Sequence, residues 1–252
     1  DDDEIRAFHN VCPHRGSKIL RTIAGNLPQD RMTCFYHMWS FNTRGECLNI
    51  SQDHGYEGCG VVEEGTSLRE IRLHNLHGLL FICLDENTAP LEEYLGAQVM
   101  AAMAIPWSSE VEVFHIHRQE IKANWKLFVE TNCEGYHELL HTLNRTTALS
   151  TKGYKDRQWH VHPHGHVWMD QALISYDRYA DIKRDDVTFP GMQENGHTVV
   201  DVFPDTMLNC RASTGRIDTL IPMGPSKTIL ECRGFGLKGD TPEVREKRIK
   251  HH

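Results

Sequence analysis

The sequence predicts an α+β protein in which a helix separates two regions of short antiparallel strands. Residues 1 to about 95 alternate apolar and polar side chains in short stretches between glycine-rich turns. Residues 124–143 repeat apolar side chains at helical offsets, and the stretches after Trp159 alternate again. With 252 residues, 39% of them hydrophobic, the chain can bury one large core or two modest ones.

The elements follow in order along the chain. The first region is predicted to contain strands at Glu4–Phe8, Met32–Phe41, Val61–Ile71 and Gly78–Leu84. A helical stretch is expected at Leu91–Met103, and a boundary near residue 95 gives domains 1–95 and 96–252. The second domain is predicted to contain the strand Val111–Ile121, the helix Asn124–Leu143, the strands His160–Met169, Thr198–Phe203, Met207–Ala212, Arg216–Ile221 and Thr228–Phe235, and a last helix at Pro242–Lys250.

Charge and composition exclude several classes of function. Lys and Arg total 27 against 35 Asp and Glu, a net charge of −8, which argues against an electrostatic nucleic-acid binder. No apolar run reaches the roughly 20 residues of a membrane-spanning helix, and the acidic N-terminus is unlike a secretion signal. Eight cysteines are too few for a disulfide scaffold and suit a reducing cytoplasm, and 17 histidines direct attention to metal chemistry.

Two Cys-His pairs form the first candidate metal site. Cys12 and His14 stand in a C-x-H pair, Cys34 and His37 in a C-x-x-H pair, and residues 15–33 separate them. Two thiolates and two imidazoles from two short loops can bind tetrahedral zinc or a [2Fe–2S] cluster. The spacing alone does not choose between these.

The flanking residues resemble a known family. The segments His9–Gly16 and Cys34–Phe41, followed by Gly45, resemble the cluster-binding loops of the Rieske domain in ring-hydroxylating, Rieske-type non-haem iron oxygenases. The resemblance implies that Cys12 and Cys34 bind one iron and that His14 and His37 bind the other. Respiratory Rieske proteins carry an extra cysteine in each loop, whereas this chain has Ser17 and no extra cysteine there, which favours the oxygenase branch.

A second candidate site lies on the predicted helix 124–143. His137 and His141 are four residues apart, so on a helix both would face one metal, and Glu134 would join that face. Two histidines and a carboxylate suit a non-haem iron(II) site with positions open for O₂ and substrate.

The same family has a similar run in its catalytic domain. The matching positions are Asn124, Trp125, Lys126, Glu130, Glu134, Tyr136, His137 and His141. The resemblance implies that His137 and His141 bind the iron, and that Glu134 is a bridge accepting a hydrogen bond from His37 of a neighbouring subunit. This chain departs from the family in having Glu rather than Asp at 134 and three residues rather than four between the histidines.

The third iron ligand is expected to be a carboxylate beyond residue 252, because the chain resembles a fragment of the family truncated at both ends. Asp205 and Asp240 are the candidates within the chain, and Asp240 could instead cap the last helix.

Two weaker features remain. His160, His162, His164 and His166 would share one face of a strand, as a metal site or as hydrogen-bonded side chains near the active-site wall. Arg245, Lys247, Arg248 and Lys250 are expected on a solvated helix face.

The resemblance implies a small antiparallel β Rieske [2Fe–2S] domain joined to a helix-on-antiparallel-sheet, helix-grip-like catalytic domain. The expected function is that of a cytoplasmic terminal oxygenase subunit of aromatic catabolism, which uses O₂ to hydroxylate an aromatic substrate by cis-dihydroxylation, an aromatic carboxylate being one candidate. Electrons would come from NAD(P)H through a reductase or ferredoxin, and the assembly would be a homotrimer, with or without a small β subunit.

Other interpretations remain open at this point. One is a Rieske monooxygenase or dealkylase of quaternary amines or methoxy-aromatics. Another is a Rieske ferredoxin that only carries electrons, which would not need the helix with His137 and His141. A zinc-binding scaffold would explain the cysteines and histidines without the flanking Trp39 and Gly45.

Overall fold

The structure of the chain is a computed structural model that describes residues 3–61, 66–107, 109–134, 137, 157–173 and 187–252. The chain divides into two compact units, unit 1 (Asp1–Thr88) and unit 2 (Ala89–His252), a few residues before the boundary expected near residue 95. None of the helices in these described ranges combines the length and the apolar composition that crossing a membrane requires.

Unit 1 contains two three-stranded antiparallel sheets. Its strands are β1 (Ala7–Phe8), β2 (Arg31–Thr33), β3 (Ser40–Asn42), β4 (Cys47–Asn49), β5 (Glu70–Leu76) and β6 (Leu79–Cys83). The sheet orders are β1-β5-β6 and β2-β3-β4. Short 3-10 helices occupy Pro28–Asp30 and Asp53–Tyr56. The predicted strand Met32–Phe41 is thus two strands, with the C-x-x-H pair in the loop between them.

The core of unit 1 includes the cysteines of both Cys-His pairs. Its buried members are Cys12, Ile19, Met32, Cys34, Trp39, Phe41 and Leu68. The Trp39 side chain is 2% exposed and Phe41 is fully buried. The apolar packing that stabilises unit 1 therefore also fixes the loops that carry the candidate ligands.

In its described residues, unit 2 contains a seven-stranded antiparallel sheet and three helices. Its strands are β7 (Val111–Ile121), β8 (Trp159–Val161), β9 (Val167–Leu173), β10 (Gly196–Val202), β11 (Thr206–Arg211), β12 (Thr214–Gly224) and β13 (Lys227–Leu237), and its helices are α1 (Leu91–Ala104), α2 (Trp125–Asn132) and α3 (Pro242–His251). The sheet order is β7-β13-β12-β11-β10-β9-β8. Every residue of β10, an interior strand of this sheet, is buried. The α+β class is confirmed.

Helix α2 begins and ends at identifiable hydrogen bonds. The Asn124 side chain caps its start by accepting from the Lys126 N–H at 3.0 Å, and donates to the Pro225 carbonyl at 2.9 Å, which ties the helix to the turn after β12. The expected single helix from Asn124 to Leu143 is wrong, because α2 ends at Asn132. Just beyond this end, the Glu134 carboxylate accepts from the His137 N–H at 3.4 Å, a side-chain contact that competes with helical hydrogen bonding.

Arg248 of α3 corrects a second expectation. Its side chain is 1% exposed rather than on a solvated face. The guanidinium donates to both oxygens of Asp240, at 2.8 and 3.0 Å, and to the carbonyls of Val187 and Ser213 at 2.6 and 2.9 Å. Asp240 is therefore held in a buried ion pair, while Thr241 caps α3. This pair fastens α3 to the segments that flank the sheet.

Breaking the buried pair should cost far more than breaking an exposed one. Arg248→Met leaves the 2%-exposed Asp240 side chain without its main partner, so we expect the free energy of unfolding to fall by about 3–5 kcal/mol. Lys227→Met removes the half-exposed ion pair with Glu120 in the same sheet and should cost below about 1 kcal/mol. Urea unfolding of both variants measures the difference, and equal losses would contradict a structural role for the buried pair.

Candidate functional site

The two Cys-His loops of unit 1 share one backbone pattern. In each loop the cysteine N–H donates to the carbonyl five residues later, and the cysteine carbonyl accepts from the N–H four residues later. The pairs are Cys12–Ser17 at 2.8 Å, Gly16–Cys12 at 2.9 Å, Cys34–Trp39 at 2.8 Å and Met38–Cys34 at 2.9 Å. Gly16 and Met38, at the matching position, have φ angles of +71° and +60°. The left-handed residue turns each loop back onto its cysteine.

The loops bring two thiols and two imidazoles together. Cys12 and Cys34 are 2% and 1% exposed, and their side chains are hydrogen-bonded to each other. The rings of His14 and His37 lie 4.6 Å apart between centroids. The four predicted cluster ligands therefore share one small volume in unit 1.

His14 has the surroundings of a metal ligand. Its ring stacks on Trp39 at 4.7 Å, and its Nε2 lies 3.2 Å from the Tyr56 hydroxyl. Its Nδ1 is buried and has no hydrogen-bond partner within the described ranges. A histidine that binds metal through one nitrogen usually hydrogen-bonds through the other, so this orphaned Nδ1 fits a metal bond. Tyr56 was missed in the sequence, because it lies 42 residues from His14 and no local pattern links the two.

The protonation of these groups also suits metal binding. Burial, with the neighbouring His37 and Arg15, lowers the pKa of His14, so its imidazole is neutral and able to bind metal. Burial raises the pKa of the Cys12 thiol. At Cys34 burial acts in the same direction, but hydrogen bonds from the N–H groups of Tyr36 and His37 outweigh it and lower the pKa. Two thiols and two imidazoles fit a [2Fe–2S] cluster with mixed ligands, and they also fit zinc.

The second candidate site, in unit 2, is described in part. Glu134 Oε1 lies 2.5 Å from Nδ1 of His137, and both side chains are less than a third exposed. A carboxylate on one ring nitrogen orients the imidazole and makes the opposite nitrogen a stronger metal ligand. His141 lies outside the described residues, so its role as a ligand stays a prediction, as does the bridging role of Glu134.

The in-chain candidates for the third ligand differ in their surroundings. Asp240 is committed to its ion pairs with Arg245 and Arg248, which leaves its carboxylate no place on a metal. Asp205 is exposed in the turn between β10 and β11 and accepts from the Thr206 hydroxyl at 3.0 Å. The predicted ligand beyond residue 252 stays a prediction.

A cavity lies between α2 and the sheet of unit 2. It is a narrow cleft that opens to solvent, with room inside for about one water molecule. Apolar side chains form most of its wall, and three aspartates also line it. The lining is Phe128, Val129, Asn132, Gly165, Asp201, Val202, Phe203, Pro204, Asp205, Thr206, Met207, Asp218 and Leu220. Because the chain runs from α2 to His137 within five residues, this cavity is a candidate subsite for one group of a substrate.

Asp201 is the unusual group of this cavity. It is 6% exposed, and burial raises its pKa to about 7, although a hydrogen bond from the Cys133 thiol opposes the shift and nearby Asp218 adds to it. Sequence reasoning missed Asp201. The available signal was an acidic residue inside the apolar stretch Val199–Val202, which forms the wholly buried strand β10.

The histidine run forms a turn rather than one strand face. Residues 162–166 connect β8 to β9, and ring nitrogens of His162, His164 and His166 lie within 4.8 Å of one another. His164 Nδ1 lies 2.8 Å and His166 Nε2 lies 3.2 Å from the carbonyl oxygen of Tyr94 in α1. The Phe203 N–H donates to His166 Nδ1 at 3.1 Å. Since both nitrogens of His166 are hydrogen-bonded, we interpret the group as a clamp on the Tyr94 carbonyl rather than a three-histidine metal site.

Comparisons with known proteins place both units. Residues 1–63 match the family described as Rieske [2Fe-2S] domain, and residues 108–251 match the family described as ring hydroxylating alpha subunit, catalytic domain. The chain is 37% identical over 261 residues to the methanesulfonate monooxygenase hydroxylase subunit alpha of Methylosulfonomonas methylovora, covering 100% of this chain and 63% of that protein. It is 35% identical over 254 residues to the 2-aminobenzenesulfonate 2,3-dioxygenase subunit alpha of Alcaligenes sp, covering 100% and 64%.

Solved structures show the same fold. Naphthalene 1,2-dioxygenase from Rhodococcus sp. matches with a TM-score of 0.76 at 22% identity, over 98% of this chain and 63% of that chain. A quaternary ammonium Rieske monooxygenase matches with a TM-score of 0.74 at 20% identity, over 99% and 64%. The chain thus spans less than two thirds of the length of these relatives. The predicted combination of a Rieske domain with a helix-on-sheet domain is confirmed.

Removing one buried cysteine of the pair should abolish cluster binding. Cys34→Ser leaves three of the four predicted ligands. A [2Fe–2S] cluster contains about two irons and two acid-labile sulfides per chain, and we expect the full-length variant to lose them. Cys83→Ser, on β6 of the same unit, is the control and should retain both. Iron and sulfide analysis of anaerobically purified protein measures the outcome. Sulfide retained in Cys34→Ser would contradict the assignment.

The raised pKa of Asp201 predicts a pH-dependent stability cost. Between about pH 4 and pH 7 the folded state holds a proton on Asp201 that the unfolded chain has lost, so stability falls as pH rises through this window. Asp201→Asn has no such proton. Between about pH 5 and pH 8 its free energy of unfolding should therefore rise by ~3 kcal/mol relative to that of the wild type. Urea unfolding at the two pH values tests this. Asp170 is exposed, so the stability of Asp170→Asn should change with pH as that of the wild type does. If the stability of Asp201→Asn also changed in parallel with the wild type, burial of Asp201 would carry no pH-dependent cost.

Proposed function

The chain belongs to the family of ring-hydroxylating, Rieske-type oxygenase alpha subunits, and we propose on that premise that it is the terminal oxygenase component of a multicomponent enzyme. Cys12, His14, Cys34 and His37 would hold the [2Fe–2S] cluster in unit 1. His137, His141 and a carboxylate would hold the mononuclear iron(II) of unit 2.

One observation carries the proposal. A single chain contains the paired Cys-His loops in one unit and, in the other, the carboxylate-supported His137 within the catalytic-domain match. An electron carrier needs only the first of these, and a zinc scaffold needs neither the cavity nor the catalytic-domain match over residues 108–251. An oxygenase needs both.

The chain's own residues would prepare both sites. When bound, the cluster supplies single electrons and the iron(II) supplies coordination positions for O₂. Trp39 and Tyr56 position the His14 ring and exclude water from the cluster side. Glu134 orients His137, and the apolar wall of the cavity would hold one group of the substrate in place.

The electron route is proposed to cross between subunits. Glu134 would accept a hydrogen bond from His37 of the neighbouring chain, in a head-to-tail homotrimer with or without a small β subunit. One half of such a bridge lies within the chain, since Glu134 contacts His137 at 2.5 Å. Several apolar residues around the cluster loops are about half exposed, as expected of a surface that another protein covers. They are Val11, Phe35, Tyr36 and Met38.

The partners follow from the chemistry. A reductase, or a reductase with a ferredoxin, would deliver electrons from NAD(P)H to the cluster. All eight cysteines are free thiols in the structure, which supports a reducing, cytoplasmic location.

The substrate is proposed to be a small organic acid, with an aromatic sulfonate or carboxylate as the leading class. The relatives support this: two act by name on 2-aminobenzenesulfonate and methanesulfonate, and a third, 28% identical, is an anthranilate 1,2-dioxygenase large subunit. Cis-dihydroxylation is the proposed reaction on an aromatic ring. Monooxygenation is the second candidate, because the 37%-identical relative is named a monooxygenase.

Metal analysis with one matched pair of variants tests the proposal. Full-length wild type should contain about three irons and two acid-labile sulfides per chain and give a Rieske-type EPR spectrum after reduction. His137→Ala should lose one iron, keep the spectrum, and form no oxygenated product from 2-aminobenzenesulfonate, anthranilate or methanesulfonate with a reductase supplied. His160→Ala, a histidine paired with Asp170 on the sheet, should behave as wild type. Zinc without sulfide in the wild type would overturn the proposal.

A further inference from the structure

Two buried carboxylates face the same cavity from neighbouring positions of the sheet. Asp201 of β10 pairs in register with Met207 of β11, and Met207 pairs with Asp218 of β12. All three line the cavity beneath α2, and the strand spacing puts the two aspartates about 10 Å apart. Asp218 is 1% exposed and Asp201 is 6% exposed. Both are therefore withdrawn from bulk water.

These carboxylates have unused hydrogen-bonding capacity. Asp201 accepts from the Cys133 thiol at 3.4 Å, which is a weak donor. Asp218 Oδ2 is held by Arg216 at 2.8 and 2.9 Å, and the Cys232 thiol of β13 also faces this carboxylate. Asp218 Oδ1 is buried and makes no close hydrogen bond in the described part of the chain. A buried carboxylate oxygen without a donor is costly, because it has lost water and gained nothing in return. A ligand that brings an N–H donor would offset that cost.

The lining of the cavity selects the kind of donor. Three of its thirteen lining residues are aspartates, and none of the thirteen is Lys, Arg or His. An anionic group is therefore disfavoured on the floor of the cavity, whereas a neutral amino group can donate an N–H to an aspartate there.

We propose that this cavity recognises an amino group of the substrate through Asp201, with any acidic group of the same substrate oriented toward the open mouth. The inference rests on the proposed function and adds to it a substrate class, an amino-substituted arene. The charge of Asp218 is offset by Arg216, so Asp201, held by the weakly donating Cys133 thiol, is the residue that accepts the amino N–H.

The titration of Asp201 agrees with this assignment. Burial raises its pKa to about 7, with the Cys133 thiol opposing and Asp218 adding to the shift. The carboxylate is therefore ionised, and a full acceptor, above neutral pH. We choose pH 8 for the test for this reason.

A matched pair of probes isolates the amino group. 2-Aminobenzenesulfonate and benzenesulfonate differ in that group alone, and isothermal titration calorimetry on anaerobic full-length protein measures the binding of each without turnover. We expect the wild type to bind the amino compound at least about tenfold more tightly, the size of one hydrogen bond to a charged acceptor. Asp201→Asn should lower the affinity for the amino compound to that for benzenesulfonate, and should leave the affinity for benzenesulfonate unchanged.

Two further variants control the result. Asp170→Asn makes the same change on β9, outside the cavity, and should keep the full preference. Asp201→Glu retains the carboxylate and should keep most of the preference for the amino compound. It also replaces Asp201→Asn in the test if that variant does not fold, as judged by circular dichroism and the visible spectrum of the cluster.

Three results would overturn the inference. They are equal binding of the two probes by the wild type, a preference that survives Asp201→Asn, and an equal loss of both probes in that variant. An equal loss of both probes would mean that the cavity binds substrate without recognising the amino group. Failure of the proposed function is recorded separately, as missing iron and sulfide in the same wild-type preparation.

Discussion

The convergence of two short loops on one volume is the constraint on which unit 1 depends. Four donor side chains come from positions 12, 14, 34 and 37, and the same backbone hydrogen bonds close each loop. The cysteines belong to the hydrophobic core, so the packing of Trp39 and Phe41 is also the packing of the ligands. Metal binding and folding of unit 1 are consequently linked, since the folded chain brings the four ligands together and the unfolded chain does not.

Unit 2 applies a different constraint, which is the burial of polar groups on a seven-stranded sheet. Strand β10 is buried along its whole length, yet it carries Asp201 into a cavity rather than into solvent. A carboxylate kept there lowers stability above neutral pH, because burial raises its pKa to about 7. Such a cost is typical of positions that bind a ligand, and the sheet offsets it with buried apolar strands on both sides.

Much of this organisation could be predicted from the sequence, and the exceptions have physical causes. Strand Val111–Ile121 matches β7, because its β-branched and aromatic residues strongly favour strands. The Cys-His loops were found because their spacing and flanks are local. Helix α2 was extended too far, because the contact between Glu134 and the His137 N–H competes with helical bonding in a way that periodicity does not record. Arg248 was placed in solvent, because only the tertiary structure shows the carboxylate that pairs with it.

The histidine clamp and the cavity are connected through one residue. His166 accepts from the Phe203 N–H, and the Phe203 side chain forms part of the cavity wall. Gly165, also in that wall, has φ +85°, and a Cβ there would lie 3.3 Å from the Phe203 ring. A side chain at 165 would thus push on the wall as well as strain the turn. The run of histidines, which by itself suggests a metal site, instead ties one wall of the candidate cavity to the carbonyl of Tyr94. Since the Phe203 ring also lies 6.2 Å from the Trp125 ring of α2, the fold fixes the shape of the cavity at this wall, and the aspartates on its floor determine its chemistry.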